Sequence, residues 1–448
     1  MNRANKKNLF ALLILVSAFF FVAVFAYPGF MTADPFHQLS EAFSREFSSD
    51  QAPTMSWLWS HLLWLAPQNA PQFPILISHL LGIFLGIFLF LDSFYPKLKI
   101  QNAILTAAFT IFPPILGLIG NIWKDIGMIS SWLLALGIFS QVLKKKSSWN
   151  AVFLLPAFLC LFYGITARHN APPAAWPILF WILSFYTTRW SFLKKLTMSF
   201  ALLLILFISG IYLTKSITQG HDKSFVHKYT LFDLAGISVY SGDIVVPQYE
   251  NEAPWSVEEL KKIYTPKSNV ALSGHSGQRA LSSPRNSVES RDTLRLWVKA
   301  VLKHPLAYLY HRYKVTASLL GLTVTQEYPY YIGIQEANPP NTWGLKLRNS
   351  TFRNIITKNI DRISQSFLFR GYLYLLIIFL ILLIKRNRIH EKSQLIYFIL
   401  GISGILNIIT LSVMTGAADF RYNLWTMTTA LIMLTLLINE NSQKAAKT

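Results

Sequence analysis

The chain has almost no cysteine and little charge. Cys160 is its single cysteine in 448 residues. It lies in an apolar run, so no intrachain disulfide forms and any part outside the cell folds without one. Asp, Glu, Lys and Arg together make up 14% of the residues, against about 25% in soluble domains. That scarcity excludes an ordinary soluble enzyme and a disordered chain. There is no GxxxxGK[ST] loop, no GxGxxG between a strand and a helix, no serine elbow and no His/Cys pair at zinc spacing. ATP-driven transport and a zinc site therefore lack their usual signatures. Repeats of fixed period and low-complexity tracts are missing as well.

What the chain does have is apolar mass, 52% hydrophobic and 15% aromatic. It gathers into ten runs, roughly 9–26, 74–94, 101–119, 126–143, 150–166, 174–187, 196–214, 370–384, 394–414 and 422–438. Most approach the roughly 20 residues that cross a bilayer. The sixth is short and interrupted by Pro177. The first follows the basic start MNRANKK and lacks a small-residue cleavage site before Tyr27-Pro28-Gly29, so it reads as a retained anchor. The expected fold is an α-helical polytopic membrane protein of about ten transmembrane helices.

Loop charge orients the runs. If the chain starts in the cytoplasm, 17 basic residues fall on the cytoplasmic side. They are Arg3, Lys6, Lys7, Lys97, Lys99, Lys144, Lys145, Lys146, Arg189, Lys194, Lys195, Lys385, Arg386, Arg388, Lys392, Lys444 and Lys447. The opposite short loops hold only Arg45, Lys124, Arg168 and Arg421. The positive-inside rule then sets both termini in the cytoplasm of a cell inner membrane. The other 20 basic residues lie between runs seven and eight with 12 acids. The formal net charge of +20 is thus largely an orientation signal, and nucleic acid is not an expected partner.

Three regions follow. Residues 1–214 carry helices one to seven with an outer loop, 27–73. Residues 215–369 form an extracytoplasmic domain, α+β or mainly α. Residues 370–448 carry the last three helices and a cytoplasmic tail. In the outer loop Phe36, Leu39, Phe43 and Phe47 recur at helical spacing. The stretch 54–66, with Trp57, Trp59 and Trp64, reads as a helix along the membrane surface. The outer domain opens with loop character. Residues 291–320 then predict a helix, a break at Pro305 and a second helix.

Charges beside apolar runs are candidates for function. Asp34 follows run one. Lys124 and Asp125 stand between runs three and four, Arg168 and His169 after run five, Asp419 and Arg421 between runs nine and ten. Loop charge puts all of them on one face, at the outer membrane–water boundary. Their strings are YPGFMTADPFHQLSEA (27–42), GNIWKDIG (120–127), ITARHNAPP (165–173) and AADFRYN (417–423), with LFDLAGIS (231–238) as a fifth patch.

Together these patches and the topology resemble the bacterial membrane glycosyltransferases of the GT-C superfamily. The acidic residue in a long outer loop just after span one carries most of that likeness. The resemblance implies a polyprenyl-phosphate-linked sugar as donor and a glycan, lipid or protein as acceptor, such as lipopolysaccharide or another surface glycan. It implies Asp34 as general base. Lys124, Arg168 and Arg421 would hold the donor phosphate, with Asp125, His169, Asp419, Glu41 and His37 in support. Some members use a divalent cation, but the carboxylates here are too scattered in sequence to assign a metal site, and the cofactor stays open.

The residue types suit that chemistry. A polyprenyl phosphate is a good leaving anion that needs cations more than a proton donor, and arginine clamps phosphate with paired hydrogen bonds. The acceptor hydroxyl must lose a proton, and desolvation is expected to raise the basicity of Asp34. Each residue also has a plainer reading. Asp34 before Pro35 is an ordinary helix start. Lys124 and Asp125 form a local ion pair, Asp419 and Arg421 a loop salt bridge, and Arg168 and His169 anchor a span. Glu41 and His37 read as solvated, and Asp233 as structural. Two other functions compete: a transporter or flippase of an anionic or lipid-linked substrate, and an oligosaccharide ligase or polymerase.

Overall fold

The computed structural model describes residues 3–49, 52–145, 150–219, 226–249, 252–273, 279–323, 328–336, 341–388 and 394–445. Of the residues counted above, Lys146, Lys392 and Lys447 lie outside this set.

Among the described residues the chain is helical, with three isolated β-bridges and no strand. The described residues of 215–369 therefore take the mainly α form of the two expected. In chain order the first helices are α1 (Arg3–Ala26), α2 (Ala33–Ser44), α3 (Thr54–Leu62), α4 (Phe73–Phe94), α5 (Lys99–Ile111), α6 (Pro113–Ile119), α7 (Lys124–Lys145), α8 (Asn150–Ala167), α9 (Pro172–Tyr186) and α10 (Phe192–Thr218). The segment that follows holds α11 (Val226–Ser241), α12 (Val257–Ile263), α13 (Ser287–Lys303), α14 (Pro305–Leu319) and α15 (Thr351–Ile363). The chain closes with α16 (Gly371–Lys385), α17 (Leu395–Met414) and α18 (Leu424–Ala445).

A helix stands at each of the ten apolar runs. Six of these are long and apolar enough to cross a membrane. A seventh crossing arises if the pair α5 and α6 is one span, and that pair is bent by 69°. The run read as one span over 101–119 breaks at Pro113-Pro114. Proline removes a backbone donor and pushes the residue before it out of helical geometry, and Phe112 has φ −57° and ψ 124°. The helices near 152–167 and 371–385 are apolar but shorter. The protein is an α-helical, multi-pass membrane protein.

Small residues let the helices close up. A Cβ on Gly86 of α4 would stand 2.4 Å from the Leu133 carbonyl carbon of α7, and one on Gly137 would meet the Gly86 backbone at 2.6 Å. Lipid tails are as apolar as leucine, so such close backbone approach replaces the hydrophobic effect as the packing force.

Two cores result. The larger runs through the helical bundle and includes Trp59, Trp132, Trp181 and Trp425. The second belongs to α11–α14 and centres on Phe232, Leu260 and Val315. Asp233 is buried inside it, paired with Arg312 and with His311 at 3.0 Å, and accepting a 2.8 Å bond from Trp297 Nε1. That is the structural role the sequence favoured for it. α13 and α14 meet the expected helix–break–helix at Pro305. α2 stops at Ser44, with Arg45 left-handed at φ 59°, so Phe47 lies outside the expected amphipathic helix. α11 was not anticipated.

Candidate active site at one end of the bundle

The C-terminal ends of α1, α6, α8 and α17 and the N-terminal ends of α7 and α18 share one end of the bundle. Their connections are stitched together by backbone. Phe30 N–H donates to Gly120 and Ile122 N–H donates back to Phe30, at 2.9 and 3.0 Å. On the other side Met31 N–H bonds Gly333, and Gln335 N–H bonds Met31. Asn269 N–H bonds Gly416, and Ala418 N–H bonds Lys267. Gly29, with φ +119°, turns the chain into this arrangement, and a Cβ there would lie 2.9 Å from Gln72 and Ile122. Glycine meets both demands.

A cavity of about 590 Å³ opens at this end. Asp34, Lys124, Arg168, His169, Asp419 and Arg421 all line it, although they come from four separate connections. Arg421 is the hub. Its Nη2 donates to Asp34 Oδ2 at 3.2 Å and its Nε to Asp419 Oδ2 at 3.1 Å. Its guanidinium lies over the rings of Trp123 and Tyr422, 4.7 and 5.2 Å from the centroids. Arg168 reaches Asp125 at 3.1 Å and also lies over Tyr422, at 4.8 Å. One tyrosine ring thus holds two guanidinium groups near each other. Lys124 and Asp125 are buried.

The plainer readings can be placed against this geometry. The N-cap of α2 is Thr32, not Asp34. Asp34 sits in the first turn, and its carboxylate goes to Arg421. Thr32 Oγ1 accepts a 2.8 Å bond from Trp123 Nε1, which ties the start of α2 to α7. Asp125 pairs with Arg168 across the site. The Asp419–Arg421 loop bridge is present and extends to Asp34. Glu41 and His37 do not line the cavity. Glu41 is buried and accepts bonds from Ser48 N–H, Ser48 Oγ and Ser56 Oγ, so it ties α2 to α3 and to the segment between them. His37 stands 3.6 Å from it.

Electrostatics correct one expectation. Burial alone would push the Asp34 carboxyl up, but Arg421, Lys124 and Arg168 together outweigh it and hold the group at about 2. Asp34 is therefore a weaker base in the free protein than desolvation predicts. Asp419 goes the other way: burial pushes its carboxyl up, aided by Asp34 and Asp125, against the pull of Arg421. The site counts three cations, Lys124, Arg168 and Arg421, and three carboxylates, Asp34, Asp125 and Asp419. Fully ionised, these six charges sum to zero.

Sequence reasoning quoted the strings holding Trp123 and Tyr422 but gave those rings no role. It passed over Tyr229, Tyr328, Tyr330 and Tyr331, which line the same cavity. The YPYY string (328–331) was the available signal. Among the described residues no group of three or more His, Cys, Asp or Glu converges to hold a metal ion. Compared with known protein families, curated proteins and solved structures, the chain matches none.

Proposed function

We propose that the chain is an inverting glycosyltransferase that moves a sugar from a polyprenyl phosphate to a hydroxyl of an extracytoplasmic glycan, lipid or protein. The observation that carries this reading is the meeting of Asp34 with Lys124, Arg168 and Arg421 in one cavity at a bundle end. A phosphate needs cations that do not titrate away, and arginine supplies them in a forked geometry. Tyrosine and tryptophan rings beside them offer faces on which a sugar ring can pack.

In this account the donor phosphate competes with Asp34 for Arg421. Once the phosphate draws Arg421, Lys124 and Arg168 to itself, the Asp34 carboxylate loses the partners that hold it near 2, and its basicity rises. It then takes the proton from the acceptor hydroxyl. The acceptor oxygen bonds to the anomeric carbon, the bond from that carbon to the phosphate oxygen breaks, and the lipid phosphate leaves with the electron pair. Attack opposite to departure inverts the anomeric centre. The two arginines and Lys124 stabilise the charge that grows on the leaving oxygen.

Among the described residues the basic ends of α5, α16 and α18 meet at the other end of the bundle, where Gln101 bonds Ser442 and Lys385 pairs with Glu440, which supports an inner-membrane protein with the cavity outside and both termini in the cytoplasm. Sugar nucleotides are cytoplasmic, and a site outside favours a lipid-borne donor. The test is transfer in proteoliposomes carrying radiolabelled polyprenyl-phosphate sugar. Label moving onto an added glycan or lipid acceptor supports the reading. Label that only crosses the bilayer makes the protein a flippase and ends it.

A further inference from the structure

Among the described residues, two helical faces on the cavity's side of the bundle carry exposed large apolar side chains. The first runs along α13 and α14. Val298, Leu302, Leu306, Leu309 and Tyr313 follow helical spacing across the Pro305 break, and Leu302 and Leu306 are 77% and 79% exposed. The far end of α14 is fixed to a span. Leu319 packs with Ile408 and Leu411 of α17, and Arg312 Nη1 donates to the Thr415 carbonyl. Ile408 lies six residues inside the end of α17, so α14 meets the bundle at membrane depth.

The second face is on α15. Phe352 packs edge-on against Phe21 of α1, with centroids 5.3 Å apart, and Phe21 lies five residues inside the end of that span. Arg353 fixes the depth by donating to the carbonyls of Phe25 and Tyr27. Ile355, 58% exposed, stands one turn further along.

Charge says what covers them. Between residues 344 and 363 stand Lys346, Arg348, Arg353, Lys358 and Arg362 against the single acid Asp361. The α13–α14 segment adds Arg291, Arg295, Lys299, Lys303 and Lys314 against Glu289 and Asp292. Large apolar side chains beside flexible basic ones fit the boundary between acyl chains and anionic headgroups. A protein partner of the usual kind would be expected to avoid so many lysines.

We propose that these two faces are lipid-seated clamps that grip an anionic leaflet at the cavity's end of the bundle. Leu302, Leu306, Tyr313, Phe352 and Ile355 enter the acyl boundary, and Lys299, Lys314, Lys358 and Arg362 hold lipid phosphates.

The test needs no enzymatic readout, so it fails or succeeds apart from the proposed chemistry. In a Cys160→Ser background, Leu306→Cys and Ile355→Cys carry an environment-sensitive fluorophore, with exposed Glu258→Cys on α12 as the aqueous reference. Full-length protein is placed in nanodiscs holding brominated phosphatidylcholine or brominated phosphatidylglycerol. Both probes should be quenched at least three-fold more than the reference, and more by brominated phosphatidylglycerol. Lys358→Gln with Arg362→Gln should abolish that preference at Ile355→Cys and leave the quenching. Quenching no greater than at Glu258→Cys overturns the proposal. So does disulfide pairing of Leu306→Cys between two copies, which makes the face a dimer contact. Equal quenching by the two lipids overturns the role of charge.

Discussion

Arg421 Nη2 donates to Asp34 Oδ2 at 3.2 Å across 387 positions of sequence. One contact thus joins the first turn of α2 to the turn that leads into α18. It also sets the protonation of the site, because Arg421 is the strongest of the three cations that hold the Asp34 carboxyl down.

Asp34→Asn should lower turnover by about 10²-fold or more, the usual worth of a positioned general base. Folding should survive, because Asp34 lies inside the first turn of α2 and does not hold its N-cap position, which is Thr32. Turnover in proteoliposomes and thermal unfolding in detergent check the two halves. Unchanged turnover would refute the base assignment.

Arg421→Lys should behave almost as badly as Arg421→Ala. Lysine cannot reach Asp34 and Asp419 with separate nitrogens while lying flat over Trp123. A lost hydrogen bond to charge is worth about 1.5–3 kcal/mol, so donor affinity should fall about 10- to 100-fold. Titration of the donor lipid against each variant measures it. Retention of affinity by the lysine variant would mean that only charge matters there.

The pH dependence follows from Asp34. Its folded value lies below the ordinary carboxylate value of about 3.9, so the ion pair's stabilisation is in place above that value. It is lost only as pH falls through about 2. The free protein should therefore keep Asp34 ionised through the whole working range, and kcat/KM should show no acid limb from it. With donor bound the carboxylate is less well held, so the acid limb of kcat should stand at higher pH than that of kcat/KM. Coincident limbs in the two profiles would show that the donor does not take Arg421 from Asp34.

Gly86→Ala tests the close packing of α4 against α7. The added methyl would sit 2.4 Å from the Leu133 carbonyl carbon, and overpacking of this kind costs about 1–3 kcal/mol. A lower unfolding temperature in detergent is the expected result.

The membrane helices were legible because a bilayer imposes a length on every apolar run, and loop charge is a local property. The gathering of Asp34, Lys124, Arg168, His169, Asp419 and Arg421 was legible because each lies at a run's end on one face. The basicity of Asp34 was not. It depends on cations brought close only by folding, and reasoning from desolvation alone gave the wrong sign. α11 was hidden because Leu231, Phe232, Leu234, Ala235 and Ile237 are buried around most of its circumference, and such a helix shows no amphipathic period. The bend at Pro113 was visible as a proline pair, but neither its 69° nor the Phe30–Asn121 bridge that α6 leads into could be read from the string. Tyr229, Tyr328 and Tyr330 escaped notice because tyrosines in a mixed-charge segment look the same whether they meet water or a cavity.

The account turns on a donor phosphate and Asp34 contending for the same guanidinium, and binding of the product lipid, polyprenyl monophosphate, to purified protein reads that contest directly. Lys124→Gln, Arg168→Gln and Arg421→Gln should each weaken binding about ten-fold or more, whereas Asp34→Asn, which removes the competitor, should bind as tightly as the native protein or tighter. Binding that ignores the three cations, or that collapses in Asp34→Asn, would contradict it.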